Sequence, residues 1–407
     1  PRDELLPITI ASLNGKSVPS ISTTNCMFDL GNKKRTNGTH RLIVVPDGYI
    51  DSTLVEIYPQ VYAVFGGVGA ARNATRTASD LRTILIIDIS VEPPLLTRLT
   101  YDYGSDKGMS RTGASGVVYE YPGGISLVGG TAADHGVGSV LASAMHMQIK
   151  RTPNARTKYA LESLYLTYDN SPGPRSHCAS GQYGTTVFLY GGMTDSDDIH
   201  GLRVHCPNKH IWTKEMGTIE NEHGNGWTAE AILPMNSLLE IGGVQMLIQS
   251  NTVLYLMGGS IERQQDAVRN MFVPNETIVK LERRQRVEGL ATIMEWERTN
   301  VYRVQIDKPQ LLLQPVMEIV EIGSKMCIVL YGGYNTSLYV SNPLEELPLL
   351  RQRNLVAPDP LLVFTEVAGV VGTGGWFSKG VGAVDVIAGT MLLFGGMTSS
   401  GTPNQGM

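Results

Sequence analysis

The stretch HGLRVHCPNKH places His200, His205, Cys206 and His210 within eleven residues. Imidazole and thiolate are ligands of zinc and copper, and three or four of them hold such an ion when they meet at one point. In an extended chain they do not meet, because His200 and His210 face one side and His205 the other. A metal site here requires a turn at Pro207-Asn208; without it the cluster is a polar outer strand. The phrase FGGVGAARN offers another chemistry, a strand running into Gly67-x-Gly69 as in a dinucleotide-binding loop. The third small residue of that fingerprint falls on Arg72 and no helical pattern opens there, so the match fails. Neither a nucleophile elbow nor an acid–base pair is legible elsewhere. No catalytic residue, cofactor or metal is therefore expected.

Basic loops carry more. QIKRTPNARTKY holds Lys150, Arg151, Arg156 and Lys158 with no acid, a local charge of +4 in a chain of net charge -5. GNKKRTNGTHR adds Lys33, Lys34, Arg35 and Arg41, and Arg72 and Arg76 follow the first glycine pair. Lysine and arginine in such loops can neutralise DNA phosphates without reading bases. A solvated turn has the same composition. The overall charge and the pI near 5.9 exclude a strongly basic nucleic-acid coat but leave room for a local basic face.

Cys26, Cys178, Cys206 and Cys327 form no CxxC, so neither a disulfide framework nor a zinc module is expected. Buried free thiols in a reducing compartment fit better. No run approaches 18 apolar residues, and PRDELLPITIASLNG has no signal-peptide core. Hydrophobic content of 42% suffices for a large core, and 17% charged residues suits many buried strands.

The elements that position these groups are marked by glycine. Six apolar runs end on a glycine pair: VYAVFGG, GISLVGG, TVFLYGG, TVLYLMGG, CIVLYGG and TMLLFGG. The pairs are Gly66-Gly67, Gly129-Gly130, Gly191-Gly192, Gly258-Gly259, Gly332-Gly333 and Gly395-Gly396, at steps of 63, 62, 67, 74 and 63 residues. With 45 glycines some pairs arise by chance, but a near-constant step, each time closing an apolar run, does not. A second strand and a tight turn precede each run, as in RSHCASGQY-GT-TVFLYGG, giving six hairpins. A third run follows in most cases (LRTILIIDI, SVLASAMHMQI, GLRVHCP, NVYRVQID, SLYVS), and HIWTKEM is the best fourth. The glycine-terminated runs barely alternate, so both faces must be buried. Repeated small antiparallel sheets, each covering its neighbour, predict an all-β, six-bladed β-propeller. The glycines would end an inner strand where the backbone turns tightly or takes φ > 0. Only 11 residues follow Gly396, so residues 1–50 are expected to complete the last blade and close the ring, making 1–407 one domain with repeats over 51–396.

Hairpins closed by a double glycine resemble the kelch repeat. PRSHCAS matches its arginine-containing lead-in, and Trp212 sits near its outer-strand tryptophan. QSNTVLYLMGG…NVYRVQIDKP, and the passage from Gly129-Gly130 through SVLASAMHMQIKRTPNARTKYALESLYLTYDNSPGPRSH to Gly191, further resemble the accessory subunit of the V(D)J recombinase, the second recombination-activating protein, and RAG-like transposases. Residues 260–300 stand where that family has a short loop, and read as an inserted hairpin or helix for a partner. Nothing like the family's acidic hinge and zinc-binding PHD finger follows the last repeat, so chromatin reading is not implied.

The resemblance implies a non-catalytic, nuclear accessory subunit of a RAG-like recombinase or transposase. It would bind the catalytic subunit, with two copies of each in the complex. It would touch flanking DNA through Lys150, Arg151, Arg156, Lys158, Lys33, Lys34, Arg35, Arg72 and Arg76. The alternative is a kelch interaction adaptor without nucleic acid. A third is a secreted kelch oxidase of the copper-radical type, for which His177, Cys178 and Tyr183 are the candidate residues.

Overall fold

The glycine-terminated runs form the strands that local sequence demands. In Thr186–Tyr190 and Gly124–Val128 every residue is buried, which a strand achieves only when both faces of its sheet are covered. The computed structural model describes residues 5–6, 10–12, 26–29, 41–43, 49–69, 83–91, 95–101, 111–120, 122–132, 139–152, 158–167, 172–195, 203–206, 209–216, 226–233, 241–266, 269–274, 277–306, 316–322, 324–331, 338–344, 361–366, 378–385 and 390–397. Among the described residues the architecture is all-β.

Five antiparallel meanders follow one another. The first is Tyr49–Tyr58, Val61–Gly69, Thr83–Asp88 and Leu95–Thr100, with Leu5–Leu6 on its outer edge. The second is Ser115–Glu120, Gly124–Val128, Ala144–Arg151 and Tyr159–Thr167. The third is Ala179–Tyr183, Thr186–Tyr190, His210–Glu215 and Thr228–Leu233. The fourth is Ile241–Ser250, Val253–Asp266, Thr277–Glu288 and Ala291–Ile306, and the fifth is Val316–Ile322, Lys325–Tyr331, Leu338–Ser341 and Leu361–Glu366. A last hairpin, Ser378–Asp385 with Thr390–Met397, takes Cys26–Asp29 as its next strand, Met27 opposite Leu392, and Arg41–Ile43 and Ile10–Ser12 follow.

Apolar clusters sit between neighbouring meanders. Phe65, Ile84 and Ile86 of the first meet Leu127, Met145 and Met147 of the second. Phe188 of the third packs edge-to-face on Trp296 of the fourth, centroids 5.8 Å apart. Tyr255 and Met257 of the fourth meet Ile328, Leu330 and Phe364 of the fifth. Each such side chain contributes about 1.5–3 kcal/mol when fully buried. The second and third meanders meet differently. Here the Gln182 amide exchanges hydrogen bonds with the backbone of Val118, and the His177 N–H donates to Gly113 O at 2.8 Å.

The outer strands of the last three meanders are also joined. Ile232–Leu233 pairs in parallel with Trp296–Glu297, and Arg303–Ile306 with Leu361–Phe364, fusing those meanders into one 13-stranded sheet.

Three expectations need correction. The glycine pairs do not all end strands. Val61–Gly69, Val253–Asp266 and Thr390–Met397 run through theirs, because the hairpin partner keeps pairing beyond: Gly66 faces Ser52, Gly258 faces Val244 and Gly395 faces Gly380. Gly332 and Gly333 lie outside the described residues. Residues 260–300 are not simply inserted. They supply the third strand of the fourth meander and much of its fourth, with only Arg269–Pro274 folded back on Val253–Asp266 as an extra hairpin. In the third meander the GLRVHCP run is displaced: Arg203–His205 pairs with Met193–Asp195 in a side hairpin, and HIWTKE provides the third strand.

The conformational reason for the glycines is visible at two places. Gly66 has φ +57° and Gly129 φ +66°. A Cβ on Gly66 would stand 2.0 Å from the Arg111 carbonyl oxygen, and one on Gly129 would stand 2.3 Å from that of Arg175. Each glycine thus admits the backbone of the next meander.

Candidate functional site

The basic loop after Ala144–Arg151 is anchored to the neighbouring meander. Thr152 N–H donates to Lys158 O at 2.8 Å and closes the turn. The Lys158 ammonium then reaches Asp88, whose side chain is fully buried at the end of Thr83–Asp88, and Tyr159 Oη donates to the same carboxylate at 2.7 Å. Burial alone would raise the Asp88 pKa. Hydrogen bonds from Lys158, Ser90 and Tyr159, together with the Lys158 charge, outweigh it and hold the carboxyl below its ordinary value. The Tyr159 phenol is pushed up, first by burial and then by its bond to Asp88.

Lys150 pairs with Glu162 across the hairpin. Arg151 is exposed, and its guanidinium lies over two rings, 5.3 Å from the Tyr58 centroid and 5.8 Å from that of Tyr159. The fold therefore brings Lys150, Arg151 and Lys158 together but compensates the two lysines with acids. Arg156, Lys33, Lys34, Arg35, Arg72 and Arg76 lie outside the described residues.

Two arginines of the glycine phrases' lead-ins turn inward. Arg111, 2% exposed, donates from one terminal nitrogen to the carbonyls of Leu127, Gly129 and Ser143 at 3.1, 2.9 and 3.0 Å. Arg175 donates to Gly191 O at 3.1 Å and to Pro172 O, and stacks on Trp212 at 5.6 Å. Both side chains satisfy the carbonyl of the first glycine of their own hairpin. The shared lead-ins Arg-Thr-Gly-Ala-Ser-Gly and Arg-Ser-His-Cys-Ala-Ser-Gly were the sequence signal for this.

His200 lies outside the described residues, and the remaining members of the metal and oxidase sets are dispersed. Cys206 is buried with its N–H on Gly192 O, whereas His210 lies on another strand with its ring 6.3 Å from Trp212. Among the described residues no three metal-ligating side chains converge. Tyr183 stands 48% exposed at a hairpin tip, five residues along an extended strand from Cys178, roughly 16 Å at about 3.3 Å per residue. Burial pushes the Cys178 thiol up to about 12 and raises that of Cys206, so both stay protonated at neutral pH.

A polar cluster that sequence reading missed joins the third and fourth meanders. Glu230, 2% exposed, accepts from Thr213 Oγ1 at 2.9 Å, Trp296 Nε1 at 2.8 Å and Arg283 Nε at 2.9 Å. A second bond from Arg283 makes the ion pair bidentate. Above it opens a groove of about 440 Å³, lined by Lys214, Trp227, Thr228 and Met294 among others.

No protein family and no curated protein matches the chain in sequence. Solved structures do match. One, described as "Structure of YjhT", aligns at TM-score 0.56 over 88% of this chain and 94% of that chain, with 11% identity. That structure is a kelch-like β-propeller. The chain has a propeller-like fold. At this identity the likeness reaches the fold alone.

Proposed function

We propose that this chain is the non-catalytic accessory subunit of a RAG-like DNA recombinase or transposase, a six-bladed kelch-type propeller closed by its N-terminal segment. The pairing of Cys26–Asp29 with Thr390–Met397 supports the closure, since it joins the two ends of the chain in one sheet. The observation that carries the functional reading is the anchored basic loop. Asp88 and Tyr159 hold its base against the first meander, and Arg151 is presented outward on two tyrosine rings, a rigid cation for a phosphate. With Lys150 and Lys158 compensated, the loop alone carries too little free charge for strong DNA binding. It would add a contact to DNA already held by a catalytic subunit in the nucleus.

The test is co-expression with a RAG-like catalytic subunit, followed by size-exclusion chromatography and cleavage of terminal-repeat DNA. A stable complex whose cleavage needs this chain is expected, with Arg151→Ala lowering the salt slope of DNA binding by about one. No co-migration and no effect on cleavage would leave the second reading, an interaction adaptor without nucleic acid. The same two ion pairs favour that reading, because they spend lysine charge within the fold.

A further inference from the structure

One face of the third meander changes character along its strands. Phe188, Tyr190, Ile211 and Ile232 are buried in the apolar cluster shared with the fourth meander. Farther along the same face come Thr186, Thr213, Glu215, Thr228 and Glu230, set there by alternation and by the pairing of Phe188 with Thr213, Thr186 with Glu215 and Thr213 with Thr228. Lys214, between Thr213 and Glu215, projects from the opposite face. The polar half is roofed. The hairpin of Thr277–Glu288 and Ala291–Ile306 continues past Glu282, its last residue paired with Val253–Asp266, and lies over this face through Arg283 and Met294. Between face and roof is the groove of about 440 Å³, within the range of small-molecule sites.

Its polar groups are fixed by the fold yet not used up by it. Glu230 is saturated by Thr213, Trp296 and Arg283. Arg283 reaches Glu230 through Nε and Nη2, which leaves Nη1, on the other side of the guanidinium, with no partner among the described residues. The Glu215 carboxylate accepts from the hydroxyls of Thr185 at 3.0 Å and Thr186 at 2.6 Å. It is nevertheless exposed, and a carboxylate has room for further donors. The Thr228 hydroxyl is exposed and has no partner among the described residues. The groove thus offers an oriented acceptor, an oriented donor and a hydroxyl that serves as either.

That set of groups selects the charge of an occupant. An anion would accept from Arg283 but face Glu215, which has no ion-pair partner among the described residues. A cation would gain Glu215 but leave the Nη1 hydrogens of Arg283 unsatisfied, since only an acceptor fills them. Neutral hydroxyls do both, one donating to Glu215 and its neighbour accepting from Arg283. We propose that the groove binds a neutral polyhydroxylated ligand, a sugar ring, either free or at the end of a glycan chain. Glu215, Arg283 and Thr228 hold its hydroxyls, and Met294 contacts its carbon skeleton. The site is formed before the ligand arrives. Arg284 pairs with Glu297 and Arg286 with Glu295 on the hairpin face turned away from Arg283 and Met294, which stiffens the roof. This inference does not depend on the recombinase reading.

The experiment applies saturation-transfer NMR to the purified full chain with a panel of neutral monosaccharides and myo-inositol, and probes an array of neutral oligosaccharides in parallel. At least one neutral sugar should bind, and its uronic-acid and amino-sugar counterparts should bind more weakly. A signal from the monosaccharide itself identifies a free sugar, and a signal from the array alone identifies a glycan end. Glu215→Gln replaces an acceptor oxygen by a donor and Thr228→Val removes the hydroxyl, and each should weaken binding at least about tenfold. Lys214→Ala, on the opposite face, should bind as the parent does. Thermal melts equal to the parent's would show that these variants fold. If they do not, the Met294 methyl resonance of the parent should still move when the bound sugar is added. No binding across panel and array, binding indifferent to Glu215→Gln and Thr228→Val, tighter binding of the charged counterparts, or an unmoved Met294 methyl would each overturn the proposal.

Discussion

Lys158 of the second meander donates to Asp88 of the first across 70 residues of sequence. The pair is buried on the acid side and partly open on the lysine side, so the carboxylate depends on its donors. Asp88→Asn keeps the shape and removes the charge, and should cost about 2 kcal/mol at pH 7. Because the folded-state pKa lies below 3.8, this stability is present above that value and is lost as pH falls beneath it. Urea midpoints of the two proteins should therefore differ at pH 7 and draw together only as pH falls below 3.8. A gap that stays constant would remove Asp88 from the account.

Glu318 has the opposite sign. Its side chain is half-buried, and burial of the carboxyl pushes its pKa up to about 7 from 4.5. The folded protein then holds a proton that the unfolded chain releases, so stability falls as pH rises from 4.5 and levels off above about 7. Glu318→Gln should leave the melting temperature at pH 5 nearly unchanged and raise it at pH 8. Equal shifts at both values would contradict this.

Gly129 and Gly184 both take positive φ, +66° and +59°, but only Gly129 has a neighbour in the way. Gly184→Ala meets open space and should cost about 1–2 kcal/mol from backbone strain. Gly129→Ala drives a methyl into the Arg175 carbonyl and should cost more than about 4 kcal/mol, seen as loss of soluble protein. Similar melts for the two would mean that the glycine pairs serve local conformation only.

Glu230→Ala strands Arg283 and the Trp296 N–H at a buried seam, and about 3–5 kcal/mol of destabilisation is expected. Glu230→Met with Arg283→Met should recover most of it, because no charge is then left unpaired. Denaturant midpoints of the single and double variants decide the matter. A double variant as weak as the single would point to lost packing instead.

The strand content was legible because GISLV and TVFLY are apolar without alternation, a pattern that only a doubly covered strand satisfies. The meander order of the first two repeats followed from it. Strand boundaries in the third and fourth repeats were not legible, since GLRVHCP and HIWTKE are equally strand-like and only the pairing with Thr186–Tyr190 chooses between them. The basic loop was visible as composition, but its compensation was not, because Asp88 lies in a run that reads simply as LRTILIIDI. Glu230 was hidden for the same reason: its partners Arg283 and Trp296 are 53 and 66 residues away.

The junction between the second and third meanders is held by the Gln182 amide, by His177 over Gly113 and by backbone bonds, whereas the described junctions on either side are filled with Phe, Ile, Leu and Trp. Beyond it, the third, fourth and fifth meanders share one continuous sheet. The molecule thus divides into lobes of unequal cohesion. Polar contacts resist shear through direction but yield to water more readily than an apolar face does. This junction is where the protein should breathe, with amides of Ser115–Glu120 and Ala179–Tyr183 exchanging ahead of those in the fused lobe.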